Sequence, residues 1–367
     1  PIKSSAASDV YKRQRQYKEI NGNRILRKKV SGIEHCTRDE KFVKLLYYKD
    51  AWISNYGRCI VLEDDEYKLF KGNINRQTGE LVYTLRKEKY LKTSQTYVYK
   101  KKKVMAVSLV IETFVVNYDM TNNIMIWHLN NDVKDLCYKH LYPVTEKQYK
   151  RLTELQNGSS EPLSEDVIMD VINAVEYKQD NWNPWYYHRG LCGVGYSGCD
   201  DADYTSNSYY KWKNMVQRCY DKKVHKKYKP EYKDKSVCEE WLNYSNFRSW
   251  FDEHYVPCKN NQIDLDKDLL VQGNKIYSPE TCVFLVHYQN LMFEGKRGNC
   301  VYVNKDGTFS VDGKKNNSYK TYEEALEFVT VRQIEKIESV AKKCKGTIPM
   351  CAYEAMLNWD VRLAMCG

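Results

Sequence analysis

Nowhere in these 367 residues do two cysteines stand in a C-x-x-C pair, although there are 13 cysteines. That gap excludes the tight, paired spacing of a disulfide scaffold or a ribbon-type zinc site. The cysteines read instead as reduced, mostly buried thiols of a cytosolic protein. A zinc site assembled from distant residues such as Cys219, Cys238 and Cys282 is the alternative. Long apolar runs are missing too. The longest, residues 104–116, is interrupted by Ser108 and Glu112 and is too short to span a bilayer. No low-complexity tract and no signal-peptide pattern is visible. With 42% hydrophobic and 29% charged residues, the composition fits a folded soluble chain rather than a membrane or disordered one.

What is present begins with charge. A formal net charge of +10 favours a polyanionic partner, most simply nucleic acid. Part of that charge sits in an anomalous stretch. Residues 4–14 read Ser-Ser-Ala-Ala-Ser-Asp-Val-Tyr-Lys-Arg-Gln and resemble the translation of a sequencing-library adapter, so residues 1–14 are set aside as an artefact of a metagenomic contig. They carry Lys3, Lys12 and Arg13 against Asp9, which leaves +8 of the +10 to the rest.

The length predicts two or three domains. After a basic arm (15–41), short β-type runs fill residues 42–155, and a helix over 105–115 places Val107, Val110, Ile111 and Phe114 on one face. Residues 156–184 form a linker and an acidic helix capped by Ser164. A second module spans 185–295. One of its helices, near 209–220, sets Trp212, Met215, Val216 and Cys219 at core spacing, and another carries Trp241, Phe247, Trp250 and Phe251. Residues 296–367 read as a small β-sheet followed by a long helix from Tyr322. The fold class is therefore α+β and modular.

Two stretches of the first module carry chemistry. Asp50-Ala51-Trp52-Ile53-Ser54-Asn55-Tyr56-Gly57-Arg58 resembles the nuclease-associated modular motif, whose core reads Tyr-x-Val-Ser-Asn-x-Gly-Arg. Leu109 to Phe114 is similar to the helix that precedes an HNH hairpin. His128 is then followed by Asp135 seven positions on and by His140-Leu141 at twelve. The ordered set resembles the phage-type HNH homing endonucleases, whose site is a ββα finger. Phosphodiester hydrolysis needs a base to activate water and a cation to neutralise charge on the phosphate. The resemblance implies that His128 is the base, that Asp135 braces the loop, and that His140, on the following helix, holds one Mg²⁺ or Mn²⁺ ion. Trp127 departs from the pattern, because the family carries a second metal ligand there; Asn130 or Asp132 is the available substitute. Two readings stay open: a metal-dependent nuclease, and a decayed finger that keeps its fold and its DNA affinity.

The second module resembles another part common in phage HNH-like proteins. Its signs are Trp212-x-x-Met215-x-x-Arg218-Cys219-Tyr220, then Val237-Cys238-Glu239-Glu240-Trp241, then a hairpin through Asp266 and Lys267 with a turn at Gly273-Asn274-Lys275. Asp266 is a candidate metal ligand. Lys267, taken as exposed and protonated, is a phosphate contact rather than a base; the plainer reading is a hairpin held by Asp–Lys pairing. Residues 298–327 resemble a small apetala-type DNA-binding sheet with its supporting helix, a structural cap being the alternative. Candidate DNA contacts are Asn55 and Arg58 of the motif, the run Lys100, Lys101, Lys102 and Lys103 beside Tyr97 and Tyr99, and Lys226 and Lys227, a solvated face being the alternative for both lysine patches. The implied partner is double-stranded DNA, with no membrane, and the implied setting is the cytoplasm of an infected bacterial cell.

Overall fold

The apolar spacing after Met105 does what its period predicts. Helix Ala106–Phe114 buries Val107, Leu109, Val110, Ile111 and Phe114, and these pack on Val43, Ile53, Cys59, Tyr83 and Leu141. Strands Phe42–Lys44, Ala51–Ser54, Cys59–Glu63 and Glu66–Phe70 form one antiparallel sheet in that order. Alternation sends Val43, Ile53 and Cys59 to the helix side and Phe42, Trp52 and Ile60 to a second apolar cluster on the other. A further sheet joins Asn73–Ile74, Leu81–Leu91 and Thr96–Met105, with Thr96–Met105 at one end of the order.

The computed structural model describes residues 15–26, 38–178, 184–227, 230–293, 301–311 and 314–366. The adapter-like residues 1–14, residues 27–37 of the basic arm, and Tyr228, Lys229 and Cys300 lie outside the described residues. The fold is α+β. No helix among the described residues is long and apolar enough to cross a membrane.

The chain divides into two compact units, Pro1–Lys89, Tyr99–Lys233 and Val237–Asp252 forming the first and Tyr90–Val98, Asp234–Ser236 and Glu253–Gly367 the second. Within the first, strand Met125–His128 pairs antiparallel with Leu141–Val144, and helix Glu146–Asn157 follows at once. A capping box between Thr145 and Gln148 fixes where that helix begins. Ser164 caps helix Glu165–Asn173 as expected, and Ile168 and Val171 are buried, whereas Val167 is exposed. Helix Asn207–Tyr220 buries Trp212, Met215, Val216 and Cys219. Trp241, expected on the next helix, sits instead in a 3-10 turn, Glu239–Leu242; Asn243 leaves helical geometry and helix Tyr244–His254 starts after it. The Trp212 indole donates to the Trp241 carbonyl (2.7 Å), so a buried polar edge is satisfied inside the aromatic cluster. The basic arm docks on this unit where it is described. Lys18 pairs with the buried carboxylate of Glu240 (2.9 Å), and Arg24 caps the Lys44 carbonyl (2.8 Å).

In the second unit, strand Ile263–Asp266 pairs antiparallel with Val283–Val286, and the short helix His287–Asn290 follows. Leu269, Val283, Leu285 and Phe293 share a core with Ile337, Ala341 and Met356 of the C-terminal helices. The stretch 185–295 is thus divided, helix Asn207–Tyr220 lying in the first unit and the hairpin, with the short helix His287–Asn290, in the second. The C-terminal sheet has three antiparallel strands, Val301–Val303, Phe309–Val311 and Lys314–Tyr319, and helix Tyr322–Cys344 packs Ala325 and Val329 against Val301 and Val311. The third strand and helices Met350–Leu357 and Val361–Cys366 were not foreseen from sequence.

Candidate nuclease-type finger

A strand turns successive side chains to opposite faces, and the finger uses both. His128 ends its strand opposite Leu141, and Trp127 is opposite Tyr142. Leu141 belongs to the core around helix Ala106–Phe114, while Trp127 and Tyr142 pack with Val144, Leu152, Ile168 and Val171. His128 is buried, with Nδ1 3.1 Å from the carbonyl oxygen of Asp135. A carbonyl can only accept, so Nδ1 carries a proton, and whenever the ring is neutral the lone pair is on Nε2.

Asp135 braces the rest of the loop. Its carboxylate accepts from His140 Nδ1 (2.6 Å), from the Asn130 amide (2.7 Å) and from the Cys137 N–H (3.1 Å). Burial raises the Asp135 pKa, but the Cys137 N–H and the His140 ring outweigh it and hold the carboxyl below its ordinary value. Asp132 caps the Lys134 N–H (2.9 Å) and faces solvent. Arg15 clips the far side of the loop, donating to the carbonyls of Tyr138 (3.0 Å), Lys139 and Leu141 (2.8 Å), and its guanidinium lies 3.9 Å above the Tyr142 ring.

The expected position of His140 is corrected. It lies in a 3-10 turn, Tyr138–His140, directly before the second strand of the hairpin, and not on the following helix. The Trp127 indole packs edge-on against Tyr149 of that helix, centroids 5.6 Å apart. Where a second ligand was sought there is an aromatic pair. Among the described residues no group of three or more His, Cys, Asp or Glu side chains is placed to hold a metal ion. His140 Nε2 is one donor, and Mg²⁺ and Mn²⁺ prefer an oxygen-rich set. The described residues bring no such oxygen-rich group together around His140. The zinc site considered from Cys219, Cys238 and Cys282 draws on both units, the first two cysteines lying in the first and Cys282 in the second.

The modular motif is the turn between strands Ala51–Ser54 and Cys59–Glu63. Asn55 is buried: its amide accepts from the Lys41 N–H (2.7 Å) and donates to the Asp39 carbonyl (3.2 Å), and its own carbonyl accepts from the Tyr138 N–H (2.9 Å). Arg58 lays its guanidinium on the buried carboxylate of Glu40, with Nε 2.9 Å from one oxygen. Both candidate DNA contacts are engaged within the protein.

In the second unit Lys267 is not the exposed cation expected. It is 5% exposed; Nζ donates to both Asp268 oxygens (2.7 and 2.6 Å) and to the Asn274 carbonyl (3.0 Å). The pairing partner is therefore Asp268 and not Asp266. Asp266 accepts the N–H groups of Asp268 (3.0 Å) and Leu269 (2.6 Å), an end-of-strand brace that belongs to no group of three or more metal-ligating side chains among the described residues. Sequence reasoning missed His287, whose Nδ1 donates to Asp264 (2.6 Å) across the hairpin.

Lys100, Lys101, Lys102 and Lys103 are all exposed on strand Thr96–Met105, and none makes a salt bridge with a described residue. Lys226 is exposed on the short helix Lys222–Lys227, whose last residue is Lys227, and His225 beside it donates Nε2 to the Arg218 carbonyl (2.7 Å). Comparison of the chain with protein-family models, curated protein sequences and solved structures gave no match.

Proposed function

We propose that the chain is a duplex-DNA-binding protein built on an HNH-type finger that keeps its histidines in place and lacks the donors for a metal. The observation that carries this reading is the run Lys100–Lys103: four consecutive cations, exposed and without an acidic partner among the described residues. Four adjacent like charges repel one another, and an anionic partner relieves that repulsion. The three-stranded C-terminal sheet backed by a helix supports the same partner, since a sheet of this kind can read a major groove. On this reading the protein works in the cytoplasm of a phage-infected bacterial cell.

Metal-dependent nicking by the same finger is the second reading, favoured by the His128 tautomer. With Nδ1 tied to the Asp135 carbonyl, Nε2 is ready to take a proton from an attacking water. Among the described residues no metal-binding group of three or more side chains stands by to neutralise charge on the leaving oxygen, and that puts binding ahead of cutting. The two separate in one experiment with supercoiled plasmid, in Mg²⁺, in Mn²⁺ and in EDTA. The expected result is retardation without nicks under all three conditions, and equal retardation by His128→Ala. Nicks that need metal and vanish in His128→Ala would put the nuclease reading first, with Mg²⁺ or Mn²⁺ as its cofactor.

A further inference from the structure

The lysine run has a geometry that composition alone does not specify. In a strand, Lys100 and Lys102 point to one face and Lys101 and Lys103 to the other. A strand that packs a core shows alternate burial, and its neighbour Leu81–Leu91 does so at Tyr83 and Leu85. Lys100 to Lys103 show none: all four are exposed, so at these positions both faces of the strand are free. Among the described residues the strand also ends the order of its sheet, with Leu81–Leu91 on one side only.

We infer that this edge strand lies lengthwise in a groove of duplex DNA, with Lys100 and Lys102 on one phosphate wall and Lys101 and Lys103 on the other. The inference rests on the reading that duplex DNA is the partner. A flat anionic surface engages one face of a strand and leaves the other pair idle, whereas cations on both faces match a partner whose phosphates stand on two walls. The spacing agrees. Lysines on one face repeat roughly every 6.8 Å, twice the rise of a strand, which matches two phosphates of one DNA strand at ~3.4 Å of helix axis each. A major groove about 12 Å wide admits a β-ribbon edge. Lysine on an edge strand has another use, blocking edge-to-edge pairing between copies, and that use predicts a different result.

The test is the salt dependence of duplex binding, followed by fluorescence anisotropy of a labelled duplex, for the full chain and three variants: Lys100→Ala with Lys102→Ala, Lys101→Ala with Lys103→Ala, and all four. Each contacted phosphate contributes ~0.9 to the slope of log K against log salt. Each pair is therefore expected to lower the slope by about 1.8 and the quadruple variant by about 3.6. A drop confined to one pair overturns the two-walled contact in favour of a flat one. Unchanged slopes in variants that bind as the parent does remove the strand from the interface. Self-association of the quadruple variant with an unchanged slope assigns the lysines to edge protection and also overturns the proposal. If the parent chain itself fails to bind duplex at low salt, it is the underlying DNA reading that falls.

Discussion

Gly57→Ala is expected to lower the stability of the first unit by about 2–5 kcal/mol: roughly 1–2 for a side chain forced into left-handed backbone and roughly 1–3 for overpacking. Gly57 has φ +76°, and a Cβ there would stand 2.4 Å from Leu136 Cδ1 and 2.6 Å from Leu136 Cβ. Leu136 follows Asp135 directly, so the atoms that must yield belong to the loop that orients His128 and His140. The Tyr83 hydroxyl bonds the Gly57 carbonyl (2.8 Å) and limits retreat on the other side. Weakened DNA binding is expected together with the lower urea midpoint wherever the loop contributes to the interface. Gly193→Ala is the control. It shares the left-handed backbone, φ +75°, but a Cβ there meets nothing within 4 Å, so only the first ~1–2 kcal/mol applies. Equal losses at the two positions would show that the close approach to Leu136 carries no energy.

That contact explains how the two resemblances in the first module work together. The motif turn seats the finger loop through Gly57 on Leu136 and through the Asn55 carbonyl on the Tyr138 N–H. Its polar residues were legible in the sequence as a pattern, but their use was not. Glu40, the partner of Arg58, lies 18 positions earlier and meets it only when the sheet forms. Local signals fared better. The 3.6-residue spacing of 106–114, the Ser164 cap and the Trp212–Cys219 stripe each depend on neighbours within a few residues, and each is found as read. The place of His140 outside the helix was legible, because the Thr145–Gln148 capping box puts the helix cap five residues beyond it. Lys267 was not open to such a correction. Its burial depends on the Asn274 carbonyl and on the Tyr277 ring, 5.8 Å from Nζ, and nothing adjacent in sequence announces either. The His287–Asp264 pair joins residues 23 apart through the hairpin register and is equally silent in sequence.

Asp266 is expected to make stability fall as pH rises, and Asp266→Asn to flatten that fall. Burial first, and the neighbouring charge of Asp268 second, push its carboxyl from 3.8 up to about 7, against the pull of the Leu269 and Asp268 N–H groups and of Lys267. The buried Cys282 thiol beside it is itself pushed well up and stays protonated, so it adds no charge in this range. The sign follows from the raised value. Below the unfolded value both states hold the proton and no penalty exists. Between 3.8 and about 7 the unfolded chain ionises while the folded one does not, so folding loses ground; above about 7 the loss is complete. At 1.36 kcal/mol per unit, this group removes about 2–3 kcal/mol between roughly pH 5 and pH 8. Asparagine keeps the oxygen that accepts the Asp268 and Leu269 N–H groups and cannot ionise. Urea unfolding of parent and variant at both pH values gives the difference directly, and groups common to the two chains cancel. A variant that gains on the parent by that amount at the higher pH establishes Asp266 as a brace held in place against its own charge. Parallel pH profiles would mean that Asp266 ionises normally in the folded chain, and that the end of its strand opens to water at little cost.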